Sequence, residues 1–169
     1  KENPIFRGMQ IAIDELTNDD TLPVKLNWKV FDDFGSKETA EELALEIVKD
    51  SSLIGVVGSM GSDETFANAP IFHEAGLVQV SPCASHPDLC QQGYRTFFRL
   101  VTNEDLQGGA LASMAYSYLN ARQAAIVHVD DLWGVSVSEI FEREFSKLGG
   151  NVIGKVAYQP TADDFSGLI

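Results

Sequence analysis

Apolar positions along this chain switch repeatedly between a period near 3.6 and short unbroken or alternating runs. Phe6, Met9, Ala12, Ile13 and Leu16 fall at helical spacing, and Asn18-Asp19-Asp20 with Pro23 ends that helix. Val24, Leu26, Trp28 and Val30 alternate with polar neighbours and predict a strand over Val24–Phe31. Ser36 is placed to cap a second helix with the face Ala40, Leu43, Ala44, Ile47 and Val48. Leu53–Gly58 then reads as a buried strand, followed by a helix that closes at Gly76. Leu77–Ser81 and Thr96–Leu100 are further short strands. A helix starts at Thr102 or Asn103, with Leu106, Ala110, Leu111, Met114, Ala115 and Tyr118 on one face. The strand Ala124–Val129, the helix Gly134–Leu148 stopped by Gly149-Gly150, and the strand Asn151–Tyr158 complete the series. Alternation of strands and helices along the chain predicts an α/β fold with parallel sheets covered by helices on both faces. Opening on a helix and stopping in mid-element at Phe165, Leu168 and Ile169, the sequence reads as part of a longer protein.

Composition narrows the function. The 169 residues carry a formal charge of −13 with the acids scattered, which argues against nucleic acid and against anionic membrane surfaces. No apolar run reaches the roughly 20 residues that span a bilayer. Enzyme signatures are poor. Gly58-Ser59-Met60-Gly61-Ser62 puts Met60 where a G-x-S-x-G elbow needs serine, and the Lys of a phosphate-binding loop is missing. Cys83 and Cys90 admit a local disulfide, two free thiols, or a metal pair with His86 that would lack a nearby fourth ligand.

Ligands of doubly wound sheets sit at the carboxyl ends of strands. Three small polar segments end strands here: Ser59–Thr65, Ser81–His86 and Asp130–Gly134. Ser62 stands where a hydroxyl caps the following helix, and free N–H groups there suit a carboxylate or phosphate. An ordinary cap without a ligand accounts for Ser62 equally simply. Trp133 could lid a ligand or pack on the neighbouring helix. His128 reads as a core histidine, His73 as a surface one without a partner, and Glu41-Glu42 and Asp130-Asp131 as solvated charge.

In order and spacing the chain resembles the type I periplasmic binding proteins, specifically the branched-chain amino-acid (Leu/Ile/Val) group. The resemblance rests on Gly8-Met9-x-x-Ala12-Ile13 with Glu15-Leu16, Asp32-Asp33, Ile54-Gly55-Val56-Val57-Gly58 leading to Ser62-x-x-Thr65, and Ala69-Pro70-Ile71 with Glu74-Ala75-Gly76. It continues through Val80-Ser81-Pro82-Cys83-Ala84-Ser85-His86-Pro87-Asp88-Leu89, Gly93-Tyr94, Phe98-Arg99, Gln107-Gly108, the strand Ala125–Asp130 with Trp133-Gly134, Gly149-Gly150, and Asp164-Phe165-Ser166.

That resemblance implies two Rossmann-like lobes closing on a small molecule. Residues 1–103 would form an N-terminal lobe lacking its first strand, and residues 104–169 the start of a second lobe. The first hinge crossing falls at Val101, Thr102, Asn103 and Glu104. Ser62 would bind a ligand α-carboxylate, the Cys83 carbonyl and the Ser85 hydroxyl an α-ammonium, and Trp133 would cover the ligand from the second lobe. Met60, Gly61 and Ala84 are secondary ligand-binding candidates. The family's aromatic in the first loop falls at about Lys1, which is not aromatic, and Trp133 replaces a frequent tyrosine. The implied protein is no enzyme and needs no cofactor or metal. It is an extracytoplasmic (periplasmic or cell-surface) protein that hands an amino acid or related zwitterion to an ABC transporter permease. A ligand-sensing domain of a receptor on the same fold, or an amide, urea or aromatic acid as ligand, remains an open alternative.

Overall fold

A computed structural model describes residues 4–168, with the side chain of Leu168 and the positions of Lys1 and Ile169 outside the description. The chain divides into two compact units that meet in sequence between Asp32 and Asp33.

The first unit holds helix α1, Pro4–Thr17. Its end is closed locally: the Thr17 hydroxyl donates to the Ile13 carbonyl (2.7 Å) and the Asn18 amide to that of Asp14 (2.7 Å). The expected apolar stripe exists, yet none of its residues is buried. The strand expected over Val24–Phe31 does not form. Alternation supplies a strand's faces but not its hydrogen-bond partners. Without a neighbouring ladder among the described residues, Val24, Trp28 and Val30 stay exposed.

The second unit begins with α2, Lys37–Ile47, whose N-cap Ser36 accepts from the Thr39 N–H (3.2 Å) as the sequence predicts. Strands β1 (Gly55–Val57), β2 (Val78–Ser81) and β3 (Phe97–Arg99) form a parallel sheet in that order, with Val57 level with Val80 and Ser81 level with Arg99. Helix α3, Ser62–Glu74, crosses from β1 to β2. Ala44, Ile47 and Phe72 join α2 to α3, with Leu53, Val56 and Leu77 packed around them. Full burial of a side chain such as Phe72 contributes roughly 2–3 kcal/mol. Ala69, Ala84, Leu89 and Phe97 form a second cluster under the loop that follows β2. That cluster fixes the loop against the sheet.

Helix α4 (Glu104–Ser113) runs into a π-helical turn, Met114–Tyr118, and leads to β4 (Gln123–Val129), α5 (Leu132–Lys147) and β5 (Asn151–Tyr158). β4 and β5 pair in parallel as a separate two-stranded sheet. The apolar face read for α4 is not the buried one. Gly108 and Ala112 are buried, whereas Leu106, Leu111, Met114 and Tyr118 are exposed. Gly108 lies so close to α5 that a β-carbon would press on Ile140 and the Phe141 backbone. Close helix approach selected the small residues. Coverage of the sheets is also less than the alternation predicts: Val127 and Ile153 on the second sheet and Val57, Val78 and Phe98 on the first are exposed.

Candidate functional site

Parallel pairing brings the carboxyl ends of β1, β2 and β3 to one edge, where their loops leave side by side. Buried polar side chains lock the first two loops together. The Gln79 side-chain amide donates to the Gly58 carbonyl (2.9 Å) and to Asn68 Oδ1 (2.7 Å), and the Asn68 amide donates to Ser59 Oγ (2.8 Å). The Ser81 hydroxyl donates to the Ser59 carbonyl (2.8 Å) and accepts from the Ala84 N–H (3.0 Å). One buried hydroxyl thus spans both loops.

The two serines singled out from sequence lie on these loops with opposite polarity. Ser62 opens α3 and is 4% exposed. Its Oγ accepts from the His86 N–H (3.3 Å), so its own proton remains to be donated. Ser85, also 4% exposed, donates its proton to Glu104 Oε1 (3.0 Å), so its oxygen remains to accept. Glu104 has no solvent exposure, and its other oxygen has no hydrogen-bond partner. Arg99 Nη1 fixes the same loop by donating to the Ser85 (2.9 Å) and His86 (2.8 Å) carbonyls.

The start of α3 differs from the sequence expectation. Its N-cap is Gly61, without a side-chain cap, and Ser62 is the first helical residue rather than the cap. Glu64 folds back instead. A β-carbon on Gly61 would overlap its carboxylate, and Glu64 Oε1 lies 3.8 Å from where a β-carbon on Gly35 would stand. Glu64 is 8% exposed and its Oε2 is buried without a partner. Burial pushes its pKa up, a hydrogen bond from its own N–H opposes this, and Asp33, Asp63 and Asp131 add to the rise. The spacing Gly61-x-x-Glu64 matches the reach of a capping-box acid, which is the signal that could have found it. Nothing comparable marks Glu104 in the sequence.

Helix α5 begins close by. Asp131 is its N-cap and accepts from the Gly134 N–H (2.7 Å), while Asp63 Oδ2 on α3 accepts from the Leu132 N–H (3.2 Å). Trp133, next along the helix, is 46% exposed. Asp131 is therefore a working cap rather than mere solvated charge.

Cys83 and Cys90 are exposed, unbridged thiols, Cys83 on the loop after β2 and Cys90 at the end of the short 3-10 turn Pro87–Cys90. The Cys83 N–H reaches Ser81 Oγ at 3.4 Å, and its carbonyl accepts no hydrogen bond among the described residues. Met60 and Gly61 are half-buried and Ala84 is buried. Val101 to Asn103 form the link between β3 and α4, with Asn103 capping α4 through Leu106 N–H (3.2 Å). His73 is not partnerless: its Nδ1 lies 3.1 Å from Thr96 Oγ1 and its ring packs on Tyr94. His128 is half-buried, with Nδ1 2.8 Å from the Val129 carbonyl. Among the described residues no group of His, Cys, Asp and Glu is arranged to hold a metal. Two surface hollows, around Leu22 and Leu26 and around Leu111 and Met114, are lined by none of the candidate residues.

With this geometry in view, the profile of the periplasmic binding protein family matches residues 2–169. The chain belongs to the periplasmic binding protein family. Among its relatives, an amino acid binding protein of Pseudomonas aeruginosa is 26% identical over 82% of this chain and 37% of that protein. The leucine-specific-binding protein of Salmonella typhimurium is 25% identical over 97% of this chain and 44% of its own length. In three dimensions the chain is similar to the leucine-binding protein LivK of Thermotoga maritima, with a TM-score of 0.87, 26% identity, and coverage of 97% of this chain and 46% of that one. The chain spans less than half the length of these periplasmic binding proteins, and its α/β architecture is that of the type I fold.

Proposed function

We propose that this chain is part of an extracytoplasmic solute-binding protein that captures a small amino acid and delivers it to an ABC transporter permease. One observation carries the reading: Ser62 and Ser85 lie on loops knit together by Ser81, one with a proton to give and the other with an oxygen free to accept. An α-amino acid offers the complementary pair, a carboxylate and an ammonium. In this reading Ser62 and the first N–H groups of α3 hold the carboxylate. Ser85, oriented by Glu104, and the Cys83 carbonyl hold the ammonium. Met60, Gly61 and Ala84 shape the backbone around them.

Residues 1–103 and 104–169 begin two lobes joined at Val101–Glu104, and Trp133 covers the ligand from the second. The mechanism is binding and closure without covalent chemistry. Affinity then depends on the open–closed equilibrium as well as on contacts. Relatives named for leucine and for amino acids support a branched-chain amino acid as the ligand to test first.

Calorimetric titration of the full-length protein with leucine tests this. Ser62→Ala and Ser85→Ala should each weaken binding by about 1–3 kcal/mol, the worth of a hydrogen bond to charge. Affinity unchanged in both variants would overturn the site.

A further inference from the structure

The polar groups at the start of α3 do not wait empty. Glu64 lies over Gly61, nine-tenths buried, with one carboxylate oxygen lacking any hydrogen-bond partner. It stands two residues from Ser62, at the same helix end that the proposed function gives to a ligand carboxylate. Two ionised carboxylates at one helix terminus repel strongly in a dehydrated site, and one of them takes up a proton more readily. We infer that a ligand carboxylate and Glu64 share the N-terminus of α3, so that binding is coupled to uptake of one proton from solvent by the Glu64 carboxylate. This inference rests on the proposed reading of the site and deepens it.

The surroundings favour protonation of Glu64. Asp33 in the segment before α2, Asp63 on α3 itself and Asp131 at the start of α5 all act on it, and all are acids. None of the salt bridges among the described residues includes Glu64. Its group already titrates above the ordinary glutamate range, chiefly through burial. A second anion beside it raises that value further. The other titratable groups at hand are His86, whose backbone N–H meets Ser62 and whose ring stands edge-on to Phe66, and Glu104, whose carboxylate accepts from Ser85. A variant of Glu64 separates its contribution from theirs.

Calorimetry of full-length protein with leucine, from about pH 8 down to about pH 5, tests the coupling, because leucine keeps both its charges over that range. Wild-type affinity should rise as pH falls, by up to ~10-fold per pH unit where a whole proton is taken up. Titrations in buffers of different ionisation enthalpy should show that uptake directly. Glu64→Gln should bind leucine more tightly than wild type at the upper pH and lose the slope. A wild-type affinity and buffer response that do not change with pH would overturn the coupling. So would a slope that persists in E64Q, or weaker binding by E64Q at every pH. The buffer measurement on wild type stands even if E64Q does not fold. Absence of binding to leucine and to every other α-amino acid at any pH would instead overturn the functional reading, and the coupling with it.

Discussion

Helices α3 and α5 begin close together, and their first turns are finished in opposite ways. At α5 the N-cap Asp131 binds one amide and Asp63 from α3 binds another, so two carboxylates meet two N–H groups. At α3 the cap is a glycine with no side chain, and the acid that folds back leaves one oxygen buried and unpaired. The helix dipole attracts negative charge at both of these N-termini. Only α5 satisfies it with good hydrogen bonds. The end left badly satisfied is the one flanked by Ser62 and by the loop carrying Cys83 and Ser85. On the proposed reading, a ligand carboxylate meets the helix end that the chain itself leaves badly satisfied.

Breaking the support beneath the α3 turn should have the largest effect. Ser81→Ala removes a buried hydroxyl that donates to the Ser59 carbonyl and accepts from Ala84, orphaning a group on each loop. A loss of roughly 2–4 kcal/mol in urea denaturation is expected. Glu64→Gln should act in the other direction. A carboxyl whose folded pKa is raised stabilises fully below its unfolded value and loses that contribution as pH rises through the folded value. The variant should therefore be more stable than wild type near neutrality, a gain that fades as pH falls toward the unfolded glutamate value of about 4. Equal stability at all pH values would show that Glu64 carries no strain. At α5, Asp131→Ala should cost about 1 kcal/mol as a lost cap. Asp63→Ala should cost about 0.5 kcal/mol, because Asp131 still satisfies the turn. If the order at α5 were reversed, the contact from α3 would be the true cap.

Much of this architecture is legible along the chain. Asn151–Tyr158 forms a strand over its predicted span, Ser36 caps where expected, Asn103 caps the helix expected to start at Thr102 or Asn103, and the strand ends carry the small polar residues that become the two knit loops. These features depend on neighbours close in sequence, which a reading of periodicity captures. The departures share a different cause. Val24–Phe31 has a strand's alternation without a ladder to join. The burial of α4 follows Gly108 and Ala112 because α5 approaches there, and the helix's larger apolar side chains face outward. His73 gains its partners from Thr96 and Tyr94, more than twenty residues away.

Outside Val24–Phe31, local pattern alone was enough to assign the helices and strands, the parallel run of the strands, and the loops that gather at the sheet's carboxyl edge. The polarity of Ser62 and Ser85, the eviction of Ser62 from the cap position, and the presence of Glu64 there were decided only by tertiary structure. A hydroxyl is donor and acceptor at once, and which role stays open depends on the partner that arrives first. Those partners, His86 for one serine and Glu104 for the other, come from elsewhere in the chain.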